Sequence, residues 1–156
     1  MISTVIAVVG TLLGALVSGL FQHRSAGRTE KVARAEQLRR DQLEAVTALA
    51  VAISDHRSAM WVRGDAVVKG DPVDRVRELQ TRTHATRSAV TRPLVALRLH
   101  VTDPDVRRAA DAMVSATYAM RDAYTSPDDL TRARETALQA HDHFVDVAAH
   151  YLHATA

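Results

Sequence analysis

Near the end of the chain, Asp142, Asp146, His150 and His153 follow an i, i+4, i+8, i+11 spacing. On a helix that spacing puts all four on one face. Imidazoles and carboxylates so arranged can hold zinc or another divalent metal, and a bridging ion would draw a further ligand from a neighbouring helix. His84 and His100 are the candidates for that ligand. The paired Glu-x-x-His segments of carboxylate-bridged bundles are missing, and a solvated polar face accounts for the same residues. The eight histidines also offer a pH response, because imidazole titrates near pH 6–7.

A second polar constellation is Asp55-His56-Arg57-Ser58-Ala59-Met60-Trp61-Val62-Arg63-Gly64-Asp65, which holds the only tryptophan. Catalysis fits it poorly. Adjacent helical residues point about 100° apart, so Asp55 cannot orient His56. Ser58 has no general base one turn away. Two readings remain. His56 is a hydrogen-bonded core residue with Trp61 closing one end of a bundle, or Arg57, Trp61 and Arg63 form a partner-binding surface. Tryptophan and arginine are enriched at interface hot spots. No glycine-rich phosphate loop, nucleophile elbow or zinc-finger spacing is present. The sequence therefore predicts no enzyme and no cofactor.

The elements that must position these residues are helices. Asp71-Pro72, Asp103-Pro104 and Ser126-Pro127 each pair an N-cap residue type with proline at the first helical position. Asp74, Asp105, and Asp128 with Asp129 then place carboxylates in the first turns. Ser126 and Asp129 resemble a capping box with aspartate in place of glutamate. Apolar stripes at spacings of three and four predict helices over about 28–69, 72–101, 104–124 and 127–154. Pro93 should kink or split the second of these near Thr91. No alternating strand pattern competes. Short connections make sequential helices antiparallel, so the expected fold is all-α, an up-and-down bundle of about four helices. Its stripes are interrupted by alanine, threonine, glutamine and histidine, which makes the core thin and favours completion by a second copy.

Ahead of the bundle, Met1 to Gln22 carry no charged side chain. A helix of that length spans roughly the 30 Å apolar core of a bilayer. Basic residues begin directly after it, and residues 23–40 hold six basic and two acidic side chains. This asymmetry predicts a single inner-membrane span with the N-terminus outside and the C-terminal domain cytoplasmic. A cleaved signal peptide would want a basic n-region, which this chain lacks. A buried core helix would not favour Gly10, Gly14 and Gly19. Gly10, Gly14 and Ser18 share one face and suit close self-association, as in small-xxx-small helix pairs. Arg24, Arg28, Lys31 and Arg34 are placed to face anionic lipid headgroups. The organisation read from the sequence is thus an anchor at 1–23, a basic juxtamembrane stalk at 24–40 and a cytoplasmic bundle at 41–156.

Composition narrows the remainder. Cysteine is absent, which excludes disulfides and thiolate metal sites. Arginine outnumbers lysine 18 to two and asparagine is missing, the pattern of GC-rich actinobacterial coding. The net charge of +2 is too small to argue nucleic-acid binding. Residues 70–156 are close to neutral, with eleven basic and twelve acidic side chains in alternation.

The run Val5-Ile6-Ala7-Val8-Val9-Gly10-Thr11-Leu12-Leu13-Gly14, the arginine-rich segment after it, and Asp55-His56-Arg57-Ser58-Ala59-Met60-Trp61 resemble the small streptomycete membrane proteins labelled KilB. That label comes from the spread protein of conjugative plasmids. The resemblance covers roughly residues 1–70, and residues 71–156 match no motif of the family. It implies membrane association and a part in plasmid spread, with no catalytic residues to carry over. The expected partners are the membrane, a second copy of the chain, and an unidentified protein of the transfer machinery. The rival expectation is a metal- or pH-responsive sensor bundle at the inner membrane.

Overall fold

The computed structural model describes residues 2–154, with side chains from Glu30 onward. Four α-helices account for nearly all of it: α1 (Ile2–Lys69), α2 (Val73–His100), α3 (Pro104–Ala119) and α4 (Pro127–Ala154). One 3₁₀ turn, Met120–Ala123, follows α3. Among the described residues there is no strand. The chain divides into two compact units, residues 1–39 and 40–156. Within the first, Glu30 to Arg39 are exposed, and Arg34 pairs with Glu30 one turn away. No helix among the described residues is long and apolar enough to cross a membrane. The side chains of the predicted span lie outside the described residues. So do those of Gly10, Gly14, Ser18, Arg24 and Arg28.

The second unit is the bundle. Its directions follow from three side-chain bonds. Gln42 Nε2 donates to the His100 carbonyl at 3.0 Å and to the Tyr151 hydroxyl at 3.1 Å. Tyr124 Oη donates to the Met60 carbonyl at 2.9 Å. The ends of α2 and α4 therefore lie level with Gln42, and the end of α3 lies level with Met60. Helices α1 and α3 run one way, α2 and α4 the other, the up-and-down arrangement expected from the short connections. Leu49, Ile53, Val90, Leu97, Val106, Met113 and Phe144 form one fully buried cluster. Met60, Met120, Leu130 and Ala137 form a smaller one toward the α3–α4 connection. The stripe positions Ala35 and Leu38 stay exposed.

The connections show why each helix stops. Gly70 adopts φ +74°, with Gly70 N–H bonded to the Val67 carbonyl and Asp71 N–H to the Ala66 carbonyl. This is a Schellman motif, which needs a residue that tolerates positive φ. It also corrects the expectation for Asp71. The Asp71 amide belongs to the close of α1, and α2 opens at Val73 with Pro72 as its N-cap and no side-chain cap. Asp103 does cap α3, accepting from the Asp105 and Val106 amides at 2.9 Å each. Ser126 accepts from the Asp129 amide at 3.1 Å and donates its hydroxyl proton to the Asp129 carboxylate at 2.6 Å. Those bonds, first Ser126, then Thr125 and Arg132, hold the Asp129 carboxyl down at about 2.

Two further differences from the sequence reading have physical causes. Pro93 does not split α2, which is continuous from Val73 to His100. The ring removes one backbone bond, but Val90 and Leu97 on either side of it are fully buried and hold both halves to the same core. Arg107 then closes the end of α2, donating from Nε to the Val101 carbonyl and from Nη2 to the Arg98 carbonyl. The third helix ends at Ala119, not near 124, and tightens into the 3₁₀ turn. That turn buries Met120 completely and lays Tyr124 across Gly64. A Cβ at residue 64 would stand 2.6 Å from Tyr124 Cε1, so only glycine allows this approach.

Candidate interaction site

Trp61 lies on the flank of α1 that meets α4. The Arg134 guanidinium of α4 stacks 4.6 Å from its ring centroid, a cation–π contact. Ser54, Arg57 and Ser58 complete the wall of a small cavity of about 200 Å³ with Trp61 and Arg134. Residues 54, 57, 58 and 61 share one helical face, which is why about two turns of α1 supply four of the five. Arg57 Nη2 donates to Ser54 Oγ at 3.2 Å. Its Nη1 is buried and has no hydrogen-bond partner among the described residues. Burial lowers the pKa of Arg57, the neighbouring Arg134 lowers it further, and Asp142 opposes both. Val51 on α1, with Leu138 and Val145 on α4, leaves exposed apolar surface around this seam. The half-exposed indole, two guanidiniums and an apolar margin are the residue types that anchor protein interfaces.

The sequence placed Arg63 with Arg57 and Trp61, and the structure separates it. Arg63 is two positions past Trp61, about 200° around the helix, and lines a different cleft with His56, Met60, Thr83, His84, Arg87, Tyr118 and Arg121. The partner of Trp61 that the sequence reading missed is Arg134. Nothing in local spacing links positions 61 and 134. The link appears only once the antiparallel register of α1 and α4 is known.

His56 is the core histidine of the two readings, 2% exposed. Its Nδ1 lies 2.9 Å from Thr86 Oγ1, and its ring meets Tyr118 edge-on at 5.3 Å between centroids. The Thr86 hydroxyl also lies within hydrogen-bond distance of the Arg82 and Thr83 carbonyls. Donation of its one proton to a carbonyl leaves the oxygen to accept from Nδ1–H of a neutral imidazole. Burial, then the charge of Arg87, pushes the His56 pKa down to about 4.

The four acid and histidine positions of α4 do not act together. Asp146 and His150 line a cleft of about 850 Å³ between the start of α3 and the end of α4, with His143, Asp103, Asp105 and Arg108. Asp142 instead lies 3.3 Å from His141 Nδ1, and His153 is exposed outside that cleft. Among the described residues no three histidine, cysteine, aspartate or glutamate side chains gather to hold one metal ion. His84 sits beside Gln80 on α2 at 3.5 Å. Of the basic residues expected from the sequence to face lipid, Lys31 and Arg34 fall among the described side chains, and both are exposed.

Comparison with known proteins places this geometry in a lineage. Residues 43–152 match the family described as KilB plasmid transfer protein. The chain is 42% identical over 149 residues to Protein KilB of Streptomyces lividans, spanning 96% of this chain and 97% of that protein. No solved structure matches. The likeness runs well past residue 70, where the motif resemblance was expected to end. With the match covering most of the bundle, the chain belongs to the KilB plasmid transfer protein family.

Proposed function

We propose that this protein is a non-enzymatic, membrane-anchored helical scaffold in plasmid transfer or spread, docking a protein of the transfer machinery on the α1–α4 seam. The plasmid role is supported by near end-to-end similarity to a protein carrying the KilB name. The docking role is carried by one observation: Trp61 and the Arg57 and Arg134 guanidiniums converge on a surface cavity, with a buried Arg57 nitrogen still lacking a partner. A docked protein would contact the half-exposed Trp61 ring and the exposed Arg134 side chain. Anchoring rests on the uncharged run Met1 to Gln22 and the basic residues after it, which orient the bundle to the cytoplasm. Self-association would use the Gly10, Gly14 and Ser18 face.

A pH-responsive reading has one observation in its favour, the buried His56. It places the responsive group inside the bundle and not on the histidine-rich α4.

Fractionation of cells expressing a C-terminally tagged chain tests the anchor. The full chain is expected in the inner-membrane pellet after high-salt washing, with its tag shielded from external protease. The chain lacking residues 1–22 is expected in the soluble fraction and inactive in plasmid transfer. A freely soluble full chain, or a tag cleaved from outside, would overturn the proposal.

A further inference from the structure

Many exposed basic side chains of the bundle have acidic neighbours. Lys69 pairs with Asp65, Arg75 with Glu78, Arg77 with Asp74, Arg98 with Asp111, Arg108 with Asp105 and Arg132 with Asp129. The cleft between α1, α2 and the 3₁₀ turn is different. Arg63, Arg87, Arg121 and His84 line it above a floor that includes buried His56 and Thr83, in a volume of about 150 Å³. Among the described residues no carboxylate lines it. Asp122 pairs with Arg121 at 3.2 Å but is not part of the lining.

Two of the three guanidiniums are held by aromatic rings. Arg87 stacks 4.4 Å from the Tyr118 centroid, and Arg63 stands 5.7 Å from that of Tyr124. A ring face orients a guanidinium but accepts none of its in-plane N–H bonds. Arg63 Nε is buried and has no hydrogen-bond partner among the described residues. Arg121 has Asp122 as a counter-charge, but Arg63 and Arg87 face the same small space with no carboxylate lining it, and an anion there would relieve their mutual repulsion. Guanidinium forks match tetrahedral oxyanions bidentately, which makes converging arginines a phosphate-type receptor. The volume holds about five waters at roughly 30 Å³ each, the size of one or two phosphoryl groups.

We propose that this cleft binds a phosphoryl oxyanion, either free or as the terminal group of a nucleotide, through Arg63, Arg87 and Arg121. The site lies apart from the Trp61 seam and does not depend on the docking proposal.

Isothermal titration of the full-length chain in nonionic detergent, with inorganic pyrophosphate at constant ionic strength, tests the site. Saturable one-to-one binding is expected, weakened about tenfold or more in Arg63→Gln with Arg87→Gln, as the loss of charge-assisted bonds implies. Arg75→Gln with Arg77→Gln, on exposed and internally paired positions, should leave affinity unchanged. Should the Arg63 change impair folding, Arg87→Gln and Arg121→Gln on the exposed rim carry the same test. ATP is the second titrant. Affinity equal to or above that of pyrophosphate assigns a nucleotide tail, and binding of pyrophosphate alone assigns the free anion. Absence of saturable binding by both ligands, or undiminished affinity in the arginine variants, would overturn the proposal.

Discussion

Phe144→Ala is expected to cost the bundle about 3–5 kcal/mol of stability. Phe144 is fully buried and is the largest side chain of the main core cluster, among Leu49, Ile53, Leu97 and Met113. Removing the ring forfeits its transfer free energy and leaves a cavity that neighbouring helices fill only in part. The effect should be near the upper end because the core has little aromatic redundancy. The chain has two phenylalanines and one tryptophan, and the tryptophan lies on the surface seam. Domains of this size are typically stable by about 5–15 kcal/mol, so the variant should lose a large share of its margin. Denaturant unfolding of the full-length chain in detergent, followed by circular dichroism, measures it. Leu138→Ala is the control. Leu138 is on α4 but exposed, and its loss should change stability by no more than about 0.5 kcal/mol.

The second large effect is a loss of stability on mild acidification, traced to His56. The unfolded imidazole titrates near 6.5 and the folded one near 4, because burial and then the Arg87 charge oppose the cation. Between those values the unfolded chain takes up a proton that the native bundle refuses. Stability therefore falls as pH drops through that window, by about 1.4 kcal/mol per pH unit and on the order of 3 kcal/mol in total. The His56 contribution is complete above pH 6.5 and lost below about 4. Asp129 acts in a separate, lower range. Its depressed carboxyl stabilises the fold above the ordinary value of 3.8, and that contribution disappears as pH falls toward about 2. Unfolding midpoints from pH 7.5 to 4.5 should decline steeply for the native sequence. They should decline less for His56→Gln, which can still bond Thr86 without titrating. Equal slopes would remove His56 from the explanation.

The helices were legible because the local rules and the tertiary contacts agree. Pro-initiated starts at Pro104 and Pro127, and apolar stripes at spacings of three and four, describe the helices that the bundle packs. The split offered as one outcome at Pro93, and the end of α3, differ from the structure for the opposite reason. Packing of Val90 and Leu97 overrides the local cost of proline, and docking of Tyr124 on Gly64 imposes a tighter turn than the stripe suggested. The candidate sites were harder to read because their residues meet across helices. Arg57 and Trp61 are one turn apart and were found together, while Arg134 lies 73 positions beyond Trp61 and was not seen. Arg63, Arg87 and Arg121 come from three elements and share no spacing. Closeness in sequence to Trp61 also misled at Arg63, whose helical phase turns it toward another cleft. The α4 histidines show the converse: residues that share one helical face, even with Asp103 and Asp105 in the same cleft, do not come close enough among the described residues for three of them to hold one ion.

The proposed docking role puts the most weight on the α1–α4 seam around Trp61 and Arg134. Plasmid transfer frequency should be compared between cells carrying the native chain and cells carrying Trp61→Ala with Arg134→Gln, at matched membrane abundance and matched helicity. Transfer should fall to the level of a strain lacking the gene, because the variant removes the indole and one of the two guanidiniums that form the docking cavity. Transfer at the native frequency from the folded, membrane-bound variant would contradict the account.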